Sequence, residues 1–238
     1  MTEFDPAEYY ILAVDDDALI LELVEESLVR SNFRVSTVSS GEGGLDWIKR
    51  KGLPDLAVVD INMPFGMDGL EFCDKVHTYC DMPIIMLTAV EDEATITQAI
   101  ETCAEDYVTK PFAPGELIAR VRRILRRTSK SPFTMATLTR VDAHLAIDFP
   151  DCQIILNGRP ISLTPTETKL LYLLTRAAGQ PVNTDYLLRR LWPHDIAHQE
   201  RLRVYIHRLR SKLSAAENQH EYIQSVRGVG YMFQVNHD

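Results

Sequence analysis

Residues 56–64 read Leu-Ala-Val-Val-Asp-Ile-Asn-Met-Pro: four apolar residues, one carboxylate at Asp60, and then a chain that turns through Asn62 and Pro64. A short, continuously apolar run bounded by turn residues is how a strand buried on both faces of a parallel sheet reads. Similar runs occur at 11–14, 35–38, 84–87 and 107–108, with amphipathic helical patterns alternating with them. Alternation of strand and helix predicts an α/β unit.

Four of the five runs end in side chains able to do chemistry: Asp15 and Asp16, then Asp60, Thr88 and Lys110. Their spacing corresponds to whole strand-helix units, so they are expected at one edge of the sheet, the carboxyl edge where open α/β sheets bind ligands. Three converging carboxylates repel one another unless a cation sits among them. Magnesium fits best, because it takes a few carboxylates, keeps waters and shares its octahedron with phosphate oxygens. Lys110 and Thr88 would then hold the other phosphoryl oxygens, and Asp60 would be the nucleophile. A competing reading makes Asp15-x-Asp17 the nucleophile motif of a haloacid-dehalogenase-type phosphatase, which leaves Asp60 without a role.

The 238 residues are enough for two domains, and the formal net charge of −9 is unevenly spread. Residues 1–130 carry 13 Lys and Arg against 24 Asp and Glu, whereas residues 131–238 carry 12 against 10. An acidic half therefore precedes a locally basic one. No stretch approaches the roughly 20 apolar residues of a membrane helix, and residues 1–10 lack a signal peptide's apolar core, so a cytoplasmic protein without membrane contact is expected. Cys73, Cys80, Cys103 and Cys152 form no C-x-x-C pair, which disfavours a zinc site or disulfide framework.

The helix over 114–127 shows an apolar stripe of Leu117, Val121, Ile124 and Leu125, and residues 128–133 break the pattern as a linker. The remainder opens with short strands over 145–147 and 154–156, joined by turn residues such as Asn157-Gly158. Helices follow over 165–178, with Thr164 as N-cap and Glu167 completing a capping box, over 185–191 and over 200–216. A hairpin pairing 222–226 with 231–235 closes the chain. Such an arrangement predicts an α+β winged helix-turn-helix.

The helix over 200–216 carries two stripes: Leu202, Ile206, Leu209 and Leu213 for the core, and Arg201, Tyr205, Arg208 and Lys212 for solvent or DNA. Arg201, Arg203, Arg208, Arg210 and Lys212 lie within twelve residues that contain no acid, which favours DNA contact over a merely solvated face. A helix of this kind fits the major groove, where Arg pairs with guanine and Lys neutralises phosphate. Tyr205 and His207 are further candidate contacts, and Arg227 on the wing would add a phosphate or minor-groove contact.

The segments ILAVDDD at 11–17, VVDINMP at 58–64 followed by GMDGLE at 66–71, PIIMLTA at 83–89 and DYVTKPF at 106–112 resemble the receiver domain of response regulators. The resemblance implies a flavodoxin-like sheet of order 2-1-3-4-5 over 1–127, with Asp60 as phosphoacceptor for a sensor histidine kinase. It makes Asp15 and Asp16 the acidic magnesium pair, adds the backbone carbonyl of Asn62 to the metal, and makes Thr88 and Tyr107 a switch pair. Lys110, ahead of an expected cis Pro111, would touch the phosphoryl group. The receiver would catalyse its own phosphotransfer and dephosphorylation, the chain being a DNA-binding regulator rather than an enzyme. Between Pro64 and Gly69 lie four residues where the family usually has three. Residues 91–102 lack the family's basic dimer residues, leaving Asp106, Glu116, Arg120 and Arg122 as dimer-face candidates.

LTPTETKLLYLL at 163–174, LLRRLW at 187–192, VYIHRLRSKL at 204–213 and VRGVGYMF at 226–233 resemble the DNA-binding domain of the OmpR/PhoB family, over 134–238. That likeness implies double-stranded DNA as partner, a recognition helix over 200–213, a loop over 192–199 that meets RNA polymerase, and a homodimer on direct repeats. Arg203, Tyr205 and Met232 replace residues common in relatives, so a different base sequence is expected.

Overall fold

In the computed structural model, residues 4–89, 104–127, 133, 135–193, 195, 198–214 and 221–234 are described. The chain falls into two compact units, one drawn mostly from residues 1–128 and the other mostly from residues 129–238. No described helix is long and apolar enough to cross a membrane.

The first unit alternates β1 (Tyr10–Val14), α1 (Ala18–Val29), β2 (Arg34–Val38), α2 (Gly41–Lys51), β3 (Leu56–Asp60), α3 (Gly69–His77), β4 (Ile84–Ala89), β5 (Asp106–Lys110) and α4 (Pro114–Arg127), helices being numbered among the described residues. All five strands run parallel in the order β2-β1-β3-β4-β5, as expected from the family pattern. β3 is buried at every residue, which is why it reads as an unbroken apolar run. On one side of the sheet Ile11, Ala13, Val58, Ile85 and Val108 pack with Val24 and Leu28 of α1 and the whole expected stripe of α4. Leu12, Val14, Ala57 and Val59 alternate to the other side, where Ile48, Phe72 and Val76 are also buried.

The register places the chemistry. Val14 stands opposite Val59, so the next residues, Asp15 and Asp60, leave the sheet at the same edge. Asp60 stands opposite Leu87, Thr88 opposite Thr109, and Ala89 opposite Lys110. Gly69 opens α3 against the end of β3 so closely that a Cβ there would lie 2.1 Å from the Asp60 carbonyl oxygen.

The second unit begins with an antiparallel sheet of β6 (Thr139–Arg140), β7 (Leu145–Asp148), β8 (Gln153–Leu156) and β9 (Arg159–Ser162). Two of these strands were not anticipated, and Asn157-Gly158 joins β8 to β9 rather than β7 to β8. Asn157 and Gly158 both have positive φ, at 49° and 76°, the signature of a two-residue hairpin turn. Residues 149–152 make the β7–β8 turn, closed by the Cys152 N–H on the Phe149 carbonyl.

Three helices follow: α5 (Pro165–Arg176), α6 (Thr184–Leu191) and α7 (Gln199–Leu213). The capping box of α5 is formed in full, while the helix stops two residues short of its expected end. β11 (Ile223–Val226) and β12 (Gly230–Phe233) form the wing hairpin. β10 (Pro181–Asn183) adds a third strand to it, a pairing too short to leave a periodic signal in the sequence. Leu202, Ile206, Leu209 and Leu213 of α7 are buried with Leu187 and Leu191 of α6, as the stripe required. The expected helical segment 91–102, most of the linker 128–133, and parts of the loop 192–199 lie outside the described residues.

Candidate functional site

The turn after β1 is shaped by carboxylates with different tasks. Asp15 is buried and its Oδ1 accepts from the Asp17 N–H at 2.9 Å. Asp17 is the N-cap of α1, accepting from the Leu19 N–H at 2.8 Å. The second acid of the Asp15-x-Asp17 motif thus serves to start a helix. Asp16 remains exposed at the mouth of the pocket.

Carboxylate oxygens of Asp15, Asp16 and Asp60 all lie within 4.8 Å of one another. Lys110 Nζ donates to Asp15 Oδ2 at 2.7 Å and stands 3.0 Å from Asp60 Oδ1. Burial raises the pKa of Asp60, an effect that Lys110 opposes and that the charges of Asp15 and Asp16 reinforce. For Lys110, burial alone would lower the pKa; the hydrogen bonds to Asp15 and Asp60 outweigh it and leave the value raised. One ammonium therefore balances only part of three converging negative charges. Hard oxygen donors with surplus charge and one open side suit a divalent cation such as magnesium.

Thr88 is buried, and its hydroxyl donates to the Ala89 carbonyl at 3.1 Å in this conformation. Tyr107 is half-buried on β5, and Asn62 is exposed just past Asp60. The Lys110–Pro111 peptide is cis. The chain after Asp60 is closed by the Gly69 N–H on the Ile61 carbonyl at 3.1 Å.

Three of the four dimer-face candidates, Asp106, Glu116 and Arg120, are engaged within the chain. Arg120 meets both carboxylate oxygens of Asp106 at 3.0 Å and Glu116 Oε1 at 2.7 Å, and Arg123 adds 2.6 Å to Asp106. Arg122 is half-buried beside them.

On α7, the cations divide into groups that periodicity did not separate. Lys212 Nζ donates to Glu167 Oε2 at 2.7 Å and to the Ser162 carbonyl at 2.8 Å. Burial pushes the Glu167 carboxyl up, but Lys212 and the Thr164 N–H overcome this and hold it below the usual carboxylate range. Arg210 Nε donates to the Ile223 carbonyl at 2.9 Å and Nη2 to Ser225 Oγ at 3.1 Å, tying the helix to the wing. Arg201 pairs with Asp195 and lies 4.5 Å over the Trp192 ring, which in turn lies tilted against Tyr205 with ring centres 5.4 Å apart. Arg208 lies 5.4 Å over the Tyr205 ring.

Exposed on α7 are Arg201, Arg203, His207 and Arg208, and Arg227 is exposed on the wing. Arg203 lines a groove of about 410 Å³ with Gln199, Thr184, Ser225, Val229 and Tyr231. Sequence reading missed Glu167 as the partner of Lys212, because its position in the capping box already explained it.

Residues 11–122 match the family described as response regulator receiver domain, and residues 158–233 match transcriptional regulatory protein, C terminal. The transcriptional regulatory protein AfsQ1 of Streptomyces coelicolor is 38% identical over 93% of this chain and 96% of its own length. The DNA-binding response regulator MtrA of Mycobacterium tuberculosis is 36% identical over 95% of this chain and 97% of its own. A solved structure of DrrB, an OmpR/PhoB homolog from Thermotoga maritima, aligns at 32% identity over 95% of this chain and 99% of that one, with a TM-score of 0.45. Two domain matches in this order, and identity along nearly the whole length of both relatives, place the chain among the two-component DNA-binding response regulators of the OmpR/PhoB family.

Proposed function

We propose that Asp60 accepts a phosphoryl group from a histidine kinase's phosphohistidine, and that this controls a dimer of the chain bound to direct repeats in DNA. The observation that carries the first part is the meeting of the Asp15, Asp16 and Asp60 carboxylates with a single Lys110 ammonium. Magnesium, when bound by Asp15, Asp16, Asp60 and the Asn62 carbonyl, supplies charge neutralisation for the incoming phosphoryl oxygens.

In the transfer, an Asp60 carboxylate oxygen forms a bond to phosphorus as the phosphorus–nitrogen bond of the donor breaks. The leaving imidazole keeps that electron pair and takes up a proton from solvent. Lys110 donates hydrogen bonds to the phosphoryl oxygens, giving up part of its contact with Asp60. Thr88 turns its hydroxyl from the Ala89 carbonyl toward the phosphoryl group, and Tyr107 moves inward into the space released. Asp106, Glu116 and Arg120 then exchange their partners within the chain for partners on a second copy, with Arg122 beside them.

On the DNA side, Arg203, His207 and Arg208 reach base edges or phosphates from α7, with Arg201 and Tyr205 beside them and Arg227 on the wing. Arg210 and Lys212 serve by holding the helix in place. The 192–199 loop offers a surface to RNA polymerase.

Beryllofluoride and acetyl phosphate test the acceptor: the adduct is expected on Asp60, and an adduct on Asp15 would overturn the assignment. Sedimentation with beryllofluoride tests the dimer, with an unchanged mass counting against it.

A further inference from the structure

The segment between Asp60 and α3 is held at its far end by a side chain from a different helix. Glu42 sits in the first turn of α2, whose N-cap is Ser40. Its Oε1 accepts from the Met67 N–H at 2.8 Å. Gly66, with φ of +86°, lets the chain pass directly beneath that carboxylate; a Cβ there would lie 2.7 Å from Glu42 Oε1. Gly41 gives Met67 room from the same helix, since a Cβ at Gly41 would stand 2.9 Å from the Met67 carbonyl oxygen.

The result is a loop fixed at two buried methionines, Met63 and Met67, while Asn62, Pro64, Phe65 and Gly66 between or beside them are exposed. Phe65 is 85% exposed, so the tip of the loop between the two methionines is not held by its own side chains. Besides the burial of Met63 and Met67, residues 62–67 are tied by the Met63 and Gly69 N–H groups on the Ile61 carbonyl and by the Met67 N–H on Glu42. Its own backbone N–H and that of Met67 keep the Glu42 carboxyl below its usual range, so it is an ionised acceptor at neutral pH.

We propose that Glu42 is a positioning residue for the Asp60 site: by holding Met67 it presets the loop that carries the Asn62 carbonyl, and so strengthens magnesium binding without touching the metal. This rests on the metal reading of Asp15, Asp16 and Asp60 given above. Without the bond, the loop has to be ordered when the cation arrives, and the cost appears as lost affinity.

Magnesium binding to the full chain, followed by calorimetry, tests the proposal with the unchanged protein, Glu42→Gln, Glu42→Ala and Gly66→Ala, and with unfolding curves alongside. Glu42→Gln keeps an acceptor for the Met67 N–H and is expected to bind within about twofold of the unchanged chain. Glu42→Ala is expected to weaken binding about tenfold. Gly66→Ala, which forces the same contact apart from the loop side, should weaken it in the same direction. Undiminished affinity in Glu42→Ala overturns the proposal, and so does equal loss in Glu42→Gln, which would trace the effect to charge. If Glu42→Ala does not fold, undiminished affinity in Gly66→Ala overturns it instead. An unchanged protein that binds no magnesium fails the metal reading itself, a result distinguishable because it needs no variant.

Discussion

Lys212, on the face of α7 that periodicity assigns to DNA, is hydrogen bonded at 2.7 Å to Glu167, a carboxylate 45 residues away that also closes the cap of α5. A cation so placed stabilises the domain and is largely spent as a phosphate ligand. Arg208 and Arg203 on the same helix are exposed.

The two kinds of cation should separate in salt titrations of DNA binding. Arg208→Ala is expected to reduce the slope of log affinity against log salt by about 0.9, the value of one phosphate contact. Lys212→Ala should leave the slope unchanged but lower the unfolding free energy by about 1–3 kcal/mol, because it leaves Glu167 buried without its charged partner. A reduced slope in Lys212→Ala would place it back on the DNA face.

Glu167 gives the domain a pH dependence of known sign. Its folded pKa lies below the usual value, so its stabilisation is present above the unfolded pKa and is lost as pH falls through the folded one. Glu167→Gln should therefore cost most near neutral pH and progressively less on acidification. Urea titrations from pH 7 to pH 3 measure this, and a constant difference from the unchanged protein would count against it.

Asp60 has the opposite sign. Its folded pKa is raised, so the folded state binds the proton more tightly, and ionising it removes stability as pH rises from the ordinary carboxylate value through the folded one. Without magnesium, Asp60→Asn should gain stability relative to the unchanged chain across that window. Magnesium at about 100 times its dissociation constant should reverse the ranking, adding about 2.7 kcal/mol to the unchanged protein. Thermal unfolding with and without the ion is the measurement.

Gly69 is required by contact with the Asp60 backbone. Gly69→Ala would set a methyl carbon where the Asp60 carbonyl oxygen now lies within 2.1 Å, forcing α3 away from the end of β3. A loss of about 1–3 kcal/mol is expected, with acetyl phosphate labelling of Asp60 impaired even in the folded fraction. Normal stability would show that α3 can shift without cost.

The β7–β8–β9 region shows where local reading ran out. Asn157-Gly158 was a visible turn, but which strands it joined depended on Arg159–Ser162, four residues with a proline and little apolar character. β10 is shorter still and exists because Val182 finds Tyr231 across the wing. Strand identity in such segments comes from the partner, and the partner is distant in sequence.

The sequence by itself determined the strand-helix alternation of the first unit and the meeting of Asp15, Asp60, Thr88 and Lys110 at one edge, because buried parallel strands must be apolar and their carboxyl ends must coincide. It also determined which stripe of α7 is buried, since helical periodicity is local. Only the tertiary structure decided what faces the other stripe. It gave Lys212 to Glu167, Arg210 to the wing and Arg201 to Trp192, and set Glu42 against Met67, because a charged side chain's partner is fixed by packing between distant segments and leaves no local pattern.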